Sequence, residues 1–525
     1  MDRVHALQVQ RVQHVARLQR YNGMICIARR LPVELLAQIV QFAAIDEPKT
    51  AFHVSQVCSE WRSVVHIPAL WSFIEVVIRE DKPYPLEQTR LWIARAEDLA
   101  LRITLRVDQV TQDLQPIAVL LGGLAYRLHS LSVTAPLRSM VVHALSLFPT
   151  DFPTLCTLSI ATWYDGDDQT SPEDVHLSTL LGALPSLQAL SFDHTSVPFC
   201  GLPQHLTTLN MKLRLNNLTE AEAGSVLPSV LACLREVPLL RQLSIDASPF
   251  SLQRRIPWEV GQPVIVDLPK LQHLSITAQF ELFSILDHIH APALRGLHLR
   301  SSPVAVQDDI DAGVLVREWI HRLLRKAETS PLEVLTLYDV NPDPEPFFPE
   351  LFALTPQLRE LRLHDVDIKD GHLLLLTHPH PSANGQPSLC SRLEKIDLRW
   401  CGSVSGRALV NLVKSRQDPA QFIQTRSASD ALGSGKQLDV DGDITSWSSI
   451  REVAAINCIL VKDDDVAELA SLTLCRVRML STNDFCGPSG RTCCRNEKYR
   501  SRLRLHLQGK NAVMPHLCSS RGLLV

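Results

Sequence analysis

One spacing recurs along this chain often enough to dictate what it can become: a leucine, two residues, a leucine, one residue, then another apolar side chain. It begins at Leu128, Leu155, Leu187, Leu206, Leu240, Leu271, Leu294, Leu332, Leu358 and Leu393. Within each hexad the last two apolar residues lie two apart, as Leu335 and Leu337 do. On an extended segment both therefore point to one face, while the first leucine enters from the preceding bend and fills the layer beneath them. A unit this small cannot bury that face alone, so neighbours must stack. Successive starts are 19 residues apart at the closest (Leu187 to Leu206) and 38 at the widest (Leu294 to Leu332). The longer gaps hold helical patterns such as 312–327 and loops such as 164–173. The expected fold class over 79–415 is α/β, an irregular solenoid of short parallel strands backed by helices.

Two late units add a cue. One runs Leu393, Ile396, Leu398, Cys401, Val404, Gly406 and Leu409; the other runs Leu358, Leu361, Leu363, Val366, Ile368, Asp370, Gly371 and Leu373. These resemble the cysteine-containing type of leucine-rich repeat, which implies that the chain turns off the strand at Cys401. Most earlier units have neither Asn nor Cys at that station.

Upstream lies a block with a different texture, 30–78. Pro32 occupies a first-turn position that proline tolerates, and Leu35, Leu36, Ile39, Val40 and Ala43 follow at helical spacing. Asp46-Glu47-Pro48-Lys49 breaks that helix. A second apolar helical pattern carries Phe52, Val54, Val57, Cys58, Trp61, Val64 and Val65, and Pro68 ends it before Leu70-Trp71. Three signatures stand in order: Leu31-Pro32-Val33-Glu34-Leu35-Leu36, Val57-Cys58-Ser59-Glu60-Trp61-Arg62 and Leu70-Trp71. Together they resemble the F-box family closely. A helical hairpin would need many of the same side chains for its own core, and a block this short buries little surface by itself. The order of F-box, helix, strand and repeats is similar to that of fungal F-box proteins with degenerate leucine-rich repeats.

That resemblance implies an all-α F-box docking on a Skp-family adaptor, and through it on a cullin, while the repeats hold a target protein. The chain would then be the substrate-recognition subunit of a Skp–cullin–F-box ubiquitin ligase. Leu31, Pro32, Leu35, Leu36, Ile39, Val57, Cys58 and Trp61 are the partner-binding residues it implies, with Leu70 and Trp71 closing the unit; Trp61 and Trp71 are also readable as internal anchors. An F-box scaffold acting outside ubiquitination is the alternative.

The two ends read differently. Residues 1–29 form a basic amphipathic pattern, with Val4, Leu7, Val12, Val15 and Leu18 among arginines. It suits a helix packed on the next domain, or an organelle-targeting helix. Residues 416–525 begin with linker composition, include one plausible helix within 450–472, and otherwise suggest a partly disordered tail.

Net charge is -4 and 45% of residues are hydrophobic, the profile of a folded chain with no general attraction for nucleic acid or anionic membrane. The longest apolar run, 117–126, is far short of the ~20 residues that span a bilayer. Thirteen scattered cysteines and an N-terminus without a secretory pattern point to cytoplasm or nucleus. No phosphate-binding loop, zinc-protease motif or serine elbow occurs; Gly402-Ser403-Val404-Ser405-Gly406 places its serines out of register for the last. Asp439–Asp443 hints at a calcium loop, but Ile444 and Ile450 stand where Gly and Glu belong. Cys486, Cys493 and Cys494, and the pairs His288/His290 and His378/His380, read better as ordinary side chains than as metal ligands. Catalytic residues, cofactors and metals are therefore not expected, and the chain reads as a non-enzyme.

Overall fold

The computed structural model describes residues 10–18, 31–79, 85–108, 114–148, 152–162, 173–194, 201–213, 220–247, 265–278, 280–301, 310–326, 331–340, 342, 344–377, 389–417 and 448–478. It divides into two compact units, 1–189 and 190–525.

The first unit begins with a short helix over 10–18. Val12, Val15 and Leu18 remain exposed on it, so among the described residues its apolar stripe packs on nothing. Three helices follow, Val33–Asp46, Thr50–Ser55 and Ser59–Val64, and then a 3-10 turn at Pro68–Trp71. The second helical stretch of the sequence is thus two short helices. Cys58 is fully extended between them (φ -159°, ψ 176°), and Arg62 Nε spans the break by donating to Ser55 O at 2.8 Å.

The chain then turns into strand earlier than an all-helical block ending at 78 would allow. β1 (Phe73–Ile78) reads Phe-Ile-Glu-Val-Val-Ile, a β-branched alternation suited to a half-buried strand. It pairs in parallel with β2 (Leu101–Val107), followed by β3 (Leu128–Ala135) and β4 (Thr157–Thr162) in chain order. Helices Leu86–Arg95, Gln115–Gly122 and Arg138–Ser146 make the crossovers, as parallel pairing requires. Ile74, Val76 and Ile78 stack beside Ile103, Leu105 and Val107, all buried.

In the second unit β5 (Ala189–His194), β6 (Thr208–Leu213) and β7 (Gln242–Ala247) come first. A two-residue pair, β8 (Val266–Asp267) with β10 (Ile289–His290), stands apart. The main run continues through β9 (His273–Ala278), β11 (Gly296–Ser301), β12 (Val334–Tyr338), β13 (Glu360–His364) and β14 (Lys395–Arg399). From β6 onward each strand of this run is parallel to the next. The hexads explain the register. Leu274/Ile276, Leu297/Leu299, Leu335/Leu337, Leu361/Leu363 and Ile396/Leu398 align side by side and are buried, as are the entry residues Leu271, Leu294, Leu332, Leu358 and Leu393.

Four strands leave the sheet in the same way. Asp339, Asp365, Trp400 and Asn457, each one residue past a strand, adopt φ of 54°, 53°, 63° and 57°. A left-handed step in a residue with a Cβ is uncommon and must be held by its surroundings. Here the amide of Asp339 donates to His364 O at 2.8 Å, that of Asp365 to Arg399 O at 2.7 Å, and that of Trp400 to Ile456 O at 2.9 Å. The strand ladder therefore gains a further rung where each chain turns away.

The array does not stop at 415. β15 (Glu452–Ile456) and β16 (Leu474–Arg478) extend the parallel order beyond β14, with helix Asp463–Leu472 between them. Ile450, Val453 and Ala455 hold the hexad positions and are buried, while Cys458 stands where Cys401 does one turn earlier. This unit lacks leucines at all three stations, so a leucine-based pattern passes over it. Residues 418–447 and 479–525, which include the candidate calcium loop and Cys486, Cys493 and Cys494, lie outside the described residues, as do His378 and His380.

Candidate functional site

The Val33–Asp46 helix is apolar on two sides. Leu36, Val40 and Ala44 form one stripe at i, i+4, i+8 and are buried, Leu36 being only 6% exposed. Leu35, Ile39 and Phe42 form a second stripe more than a quarter-turn round the helix. These face solvent, at 46%, 52% and 73% exposure. Val33, Ile45, Phe52 and Val57 are likewise exposed. A helix apolar all round belongs in a core; this one has a core on one side only.

The inner side is held firmly. Ala51, Val54, Val64, Val65, Leu70 and Trp71 close it with the first stripe. Trp71 donates its indole N–H to Val65 O at 2.6 Å, packs against Trp92 at 6.5 Å between ring centroids, and carries the Arg95 guanidinium 4.4 Å over its ring. Lys49 reaches Glu75 at 2.8 Å, tying the helices to β1. The outer face thus rests on a packed and hydrogen-bonded support.

Of the residues the sequence singles out, Pro32, Leu35, Ile39 and Val57 lie exposed, and Leu31, Cys58 and Trp61 are half-buried. Leu36, Leu70 and Trp71 are buried in the interior and support the face from beneath. Val33, Phe42, Ile45 and Phe52, also exposed, are not among the partner-binding residues that the resemblance implies. Phe42 lies seven residues past Leu35, on the same stripe, and that spacing was the signal for it.

Seven large apolar side chains left exposed within 33–57 are a concentration that monomeric proteins rarely keep, although Val33 lies on the Leu36 side of its helix and not on the outer stripe. Burying half of their exposed area is worth on the order of 5–10 kcal/mol. The fixed cost of association is about 4–15 kcal/mol, so the patch supplies much of a docking energy without being adhesive by itself.

Among the described residues no group of three His, Cys, Asp or Glu side chains could hold a metal ion. His290 Nδ1 lies 2.8 Å from Asp267 Oδ1, and His288 is buried. A shallow hollow of about 530 Å³ is lined by Lys369, Asp370, Gly402, Ser403 and Leu460. Its acid is already engaged, because Asp370 accepts from the Ser405 amide and hydroxyl at 2.7 Å each. No helix among the described residues is long and apolar enough to cross a membrane.

Comparison with known proteins points to the same segment. Residues 28–75 match an F-box-like family. A chain in a crystal structure of a TLR13–ssRNA13 complex is similar at a TM-score of 0.32 and 13% identity, covering 79% of this chain. The match spans 55%, about half, of that protein's chain. No curated protein matches by sequence.

Proposed function

We propose that this chain is the substrate-recognition subunit of a Skp–cullin–F-box ubiquitin ligase, working in the cytoplasm or nucleus. The observation that carries the reading is the apolar face of the Val33–Asp46 helix, continued by Phe52 and Val57, on the segment similar to an F-box. That face docks on a Skp-family adaptor, and the adaptor joins it to a cullin. The stacked strands of the second unit bind the target protein, whose lysines are brought within reach of a conjugating enzyme carried elsewhere in the complex. Rate enhancement then comes from effective concentration, with no acid, base or nucleophile from this chain.

The test is co-purification with a Skp-family adaptor, comparing the native chain with a Leu35→Asp, Ile39→Asp variant. An unpaired carboxylate buried by docking costs several kcal/mol, so the variant loses the adaptor while its thermal unfolding is unchanged. If the native chain fails to bind, the ligase reading is wrong and an F-box scaffold outside ubiquitination takes its place.

A further inference from the structure

The outward face of the second unit changes character along its length. On β7 and β9 the side chains opposite the core are Ser244, Asp246, Ser275 and Thr277. From β11 onward they are mostly larger and include three arginines. One register row reads Arg300, Tyr338, His364, Arg399; the next reads His298, Thr336, Arg362, Asp397.

The rows interlock. The Arg300 guanidinium lies 4.4 Å over the Tyr338 ring, and Tyr338 meets His364 edge-on at 5.1 Å between centroids. Arg399 forks onto Asp397 at 2.9 and 2.8 Å, and Arg362 pairs with Glu360 in its own strand at 2.9 Å. Arg300 has no carboxylate partner among the described residues. Farther along, Lys395 and Arg476 share one carboxylate, Glu452, at 3.8 and 3.3 Å. The face therefore carries Arg300, Arg362, Lys395, Arg399 and Arg476 against Glu360, Asp397 and Glu452, a surplus of positive charge in a chain whose net charge is -4.

We propose that this face, centred on Arg300, Tyr338 and Arg362, is where the target docks, through an extended segment rich in Asp and Glu. The proposal rests on the target-binding role given above to the second unit. Charge complementarity selects the occupant. Adjacent strands are about 4.8 Å apart and each residue rises about 3.4 Å, so Arg300 and Arg362, two strands and two residues from each other, are anchored about 12 Å apart, a span that an extended segment covers in about four residues. Tyr338 stands between them as an aromatic platform. Nucleic acid fits less well, since Glu360, Asp397 and Glu452 are interleaved with the cations and would repel a continuous phosphate backbone. Burial and the neighbouring Arg399 and Arg362 depress the His364 pKa to about 4, so the ring is neutral at pH 7 and senses any anion bound beside it.

The test is a fluorescence titration of the full chain with a labelled peptide of alternating Glu and Ser, against a Lys-Ser peptide and single-stranded RNA. The Glu-Ser peptide binds in preference to both, and more weakly as salt rises. An Arg300→Gln, Arg362→Gln variant binds it at least about tenfold more weakly, whereas Leu35→Asp, Ile39→Asp binds it normally. Should the arginine variant fold poorly, the His364 ring signals of the native chain decide: peptide binding raises their pKa. Equal binding of the Lys-Ser peptide, preference for RNA, or an unmoved His364 overturns the proposal. Loss of adaptor binding with peptide binding intact would sink the ligase reading alone; the reverse would sink this one alone.

Discussion

Cys401 and Cys458 occupy the same station in successive turns, and each reaches back one strand. The Cys401 thiol lies 3.4 Å from Leu363 O, and the Cys458 thiol lies 3.5 Å from Leu398 O. Each donates its S–H to the carbonyl of the preceding unit's last buried strand residue, a lock between neighbouring turns in an otherwise apolar layer.

These thiols are structural, and their titration should say so. Burial drives the Cys401 pKa well above the usual thiol range and that of Cys458 up to about 12. An unfolded cysteine ionises near pH ~8.5, so the folded state holds these protons more tightly. Their contribution to stability is complete below pH ~8.5 and is lost as pH rises toward 12. Iodoacetamide at pH 8 should leave both unmodified until denaturant is added, as peptide mass mapping can check; modification of the folded chain would contradict the lock.

Arg416 is buried and donates to four carbonyls: Leu376 at 2.9 Å, Cys390 at 3.0 Å, Leu389 at 3.2 Å and Leu393 at 3.4 Å. A planar fork suits this set, and a lysine ammonium does not. Arg416→Met should destabilise the second unit by at least about 3 kcal/mol, because carbonyls excluded from water lose their donors. Arg416→Lys should recover only part of that. Denaturant midpoints for the two variants decide it, and equal midpoints would mean that the fork is incidental.

Two adjacent residues should separate docking from folding. Leu36→Ala removes a core side chain and should cost about 2–5 kcal/mol. Leu35→Ala, on the exposed stripe, should shift stability by less than about 0.5 kcal/mol while weakening capture of the adaptor. Thermal melts and pull-downs of the pair measure both effects.

Gly406 opens the Gly406–Gln417 helix with Asp465 against it: an added Cβ would stand 2.5 Å from the Asp465 Cβ and carboxylate. Gly406→Ala should therefore lower the unfolding temperature even though alanine favours helix. Relief by a further Asp465→Gly substitution would identify the clash as the cause.

Acid should also loosen the second unit. Burial lowers the pKa of His298 and His364, the latter to about 4, against ~6.5 when unfolded. The unfolded chain thus binds more protons between those values. The contribution is complete above pH ~6.5 and disappears as pH falls toward 4. His364→Gln should flatten that part of the stability profile.

The leucine hexads made the strands of the array legible because identical side chains repeat at a spacing that only a stacked strand uses. β15 escaped because Val453 and Ala455 serve the same buried row with smaller side chains, and their partners in β14 accommodate them. β1 escaped because its Phe73–Ile78 alternation follows Leu70-Trp71 with only Ser72 between, leaving no turn signal to separate strand from helical block. At the docking face the difficulty was the opposite. The Val33–Asp46 helix is apolar on two sides, with a narrow polar strip of Glu34, Gln38 and Gln41, so composition cannot tell its core stripe from its exposed one; only the closing of Val64, Val65, Leu70 and Trp71 over Leu36 and Val40 does. The outward arginines of β11 to β14 looked like ordinary strand polar positions until the register brought them into rows.

The left-handed steps at Asp339, Asp365, Trp400 and Asn457 impose a rule of punctuation on the second unit. The returns at β12 to β15 share one ending, one residue past the strand, whereas the connections that follow them differ in length. Growth by insertion is therefore a one-sided affair: the helical side can lengthen, and the side that carries Arg300, Tyr338 and Arg362 keeps its spacing. A surface organised in that way can hold its recognition pattern constant while the rest of each turn drifts.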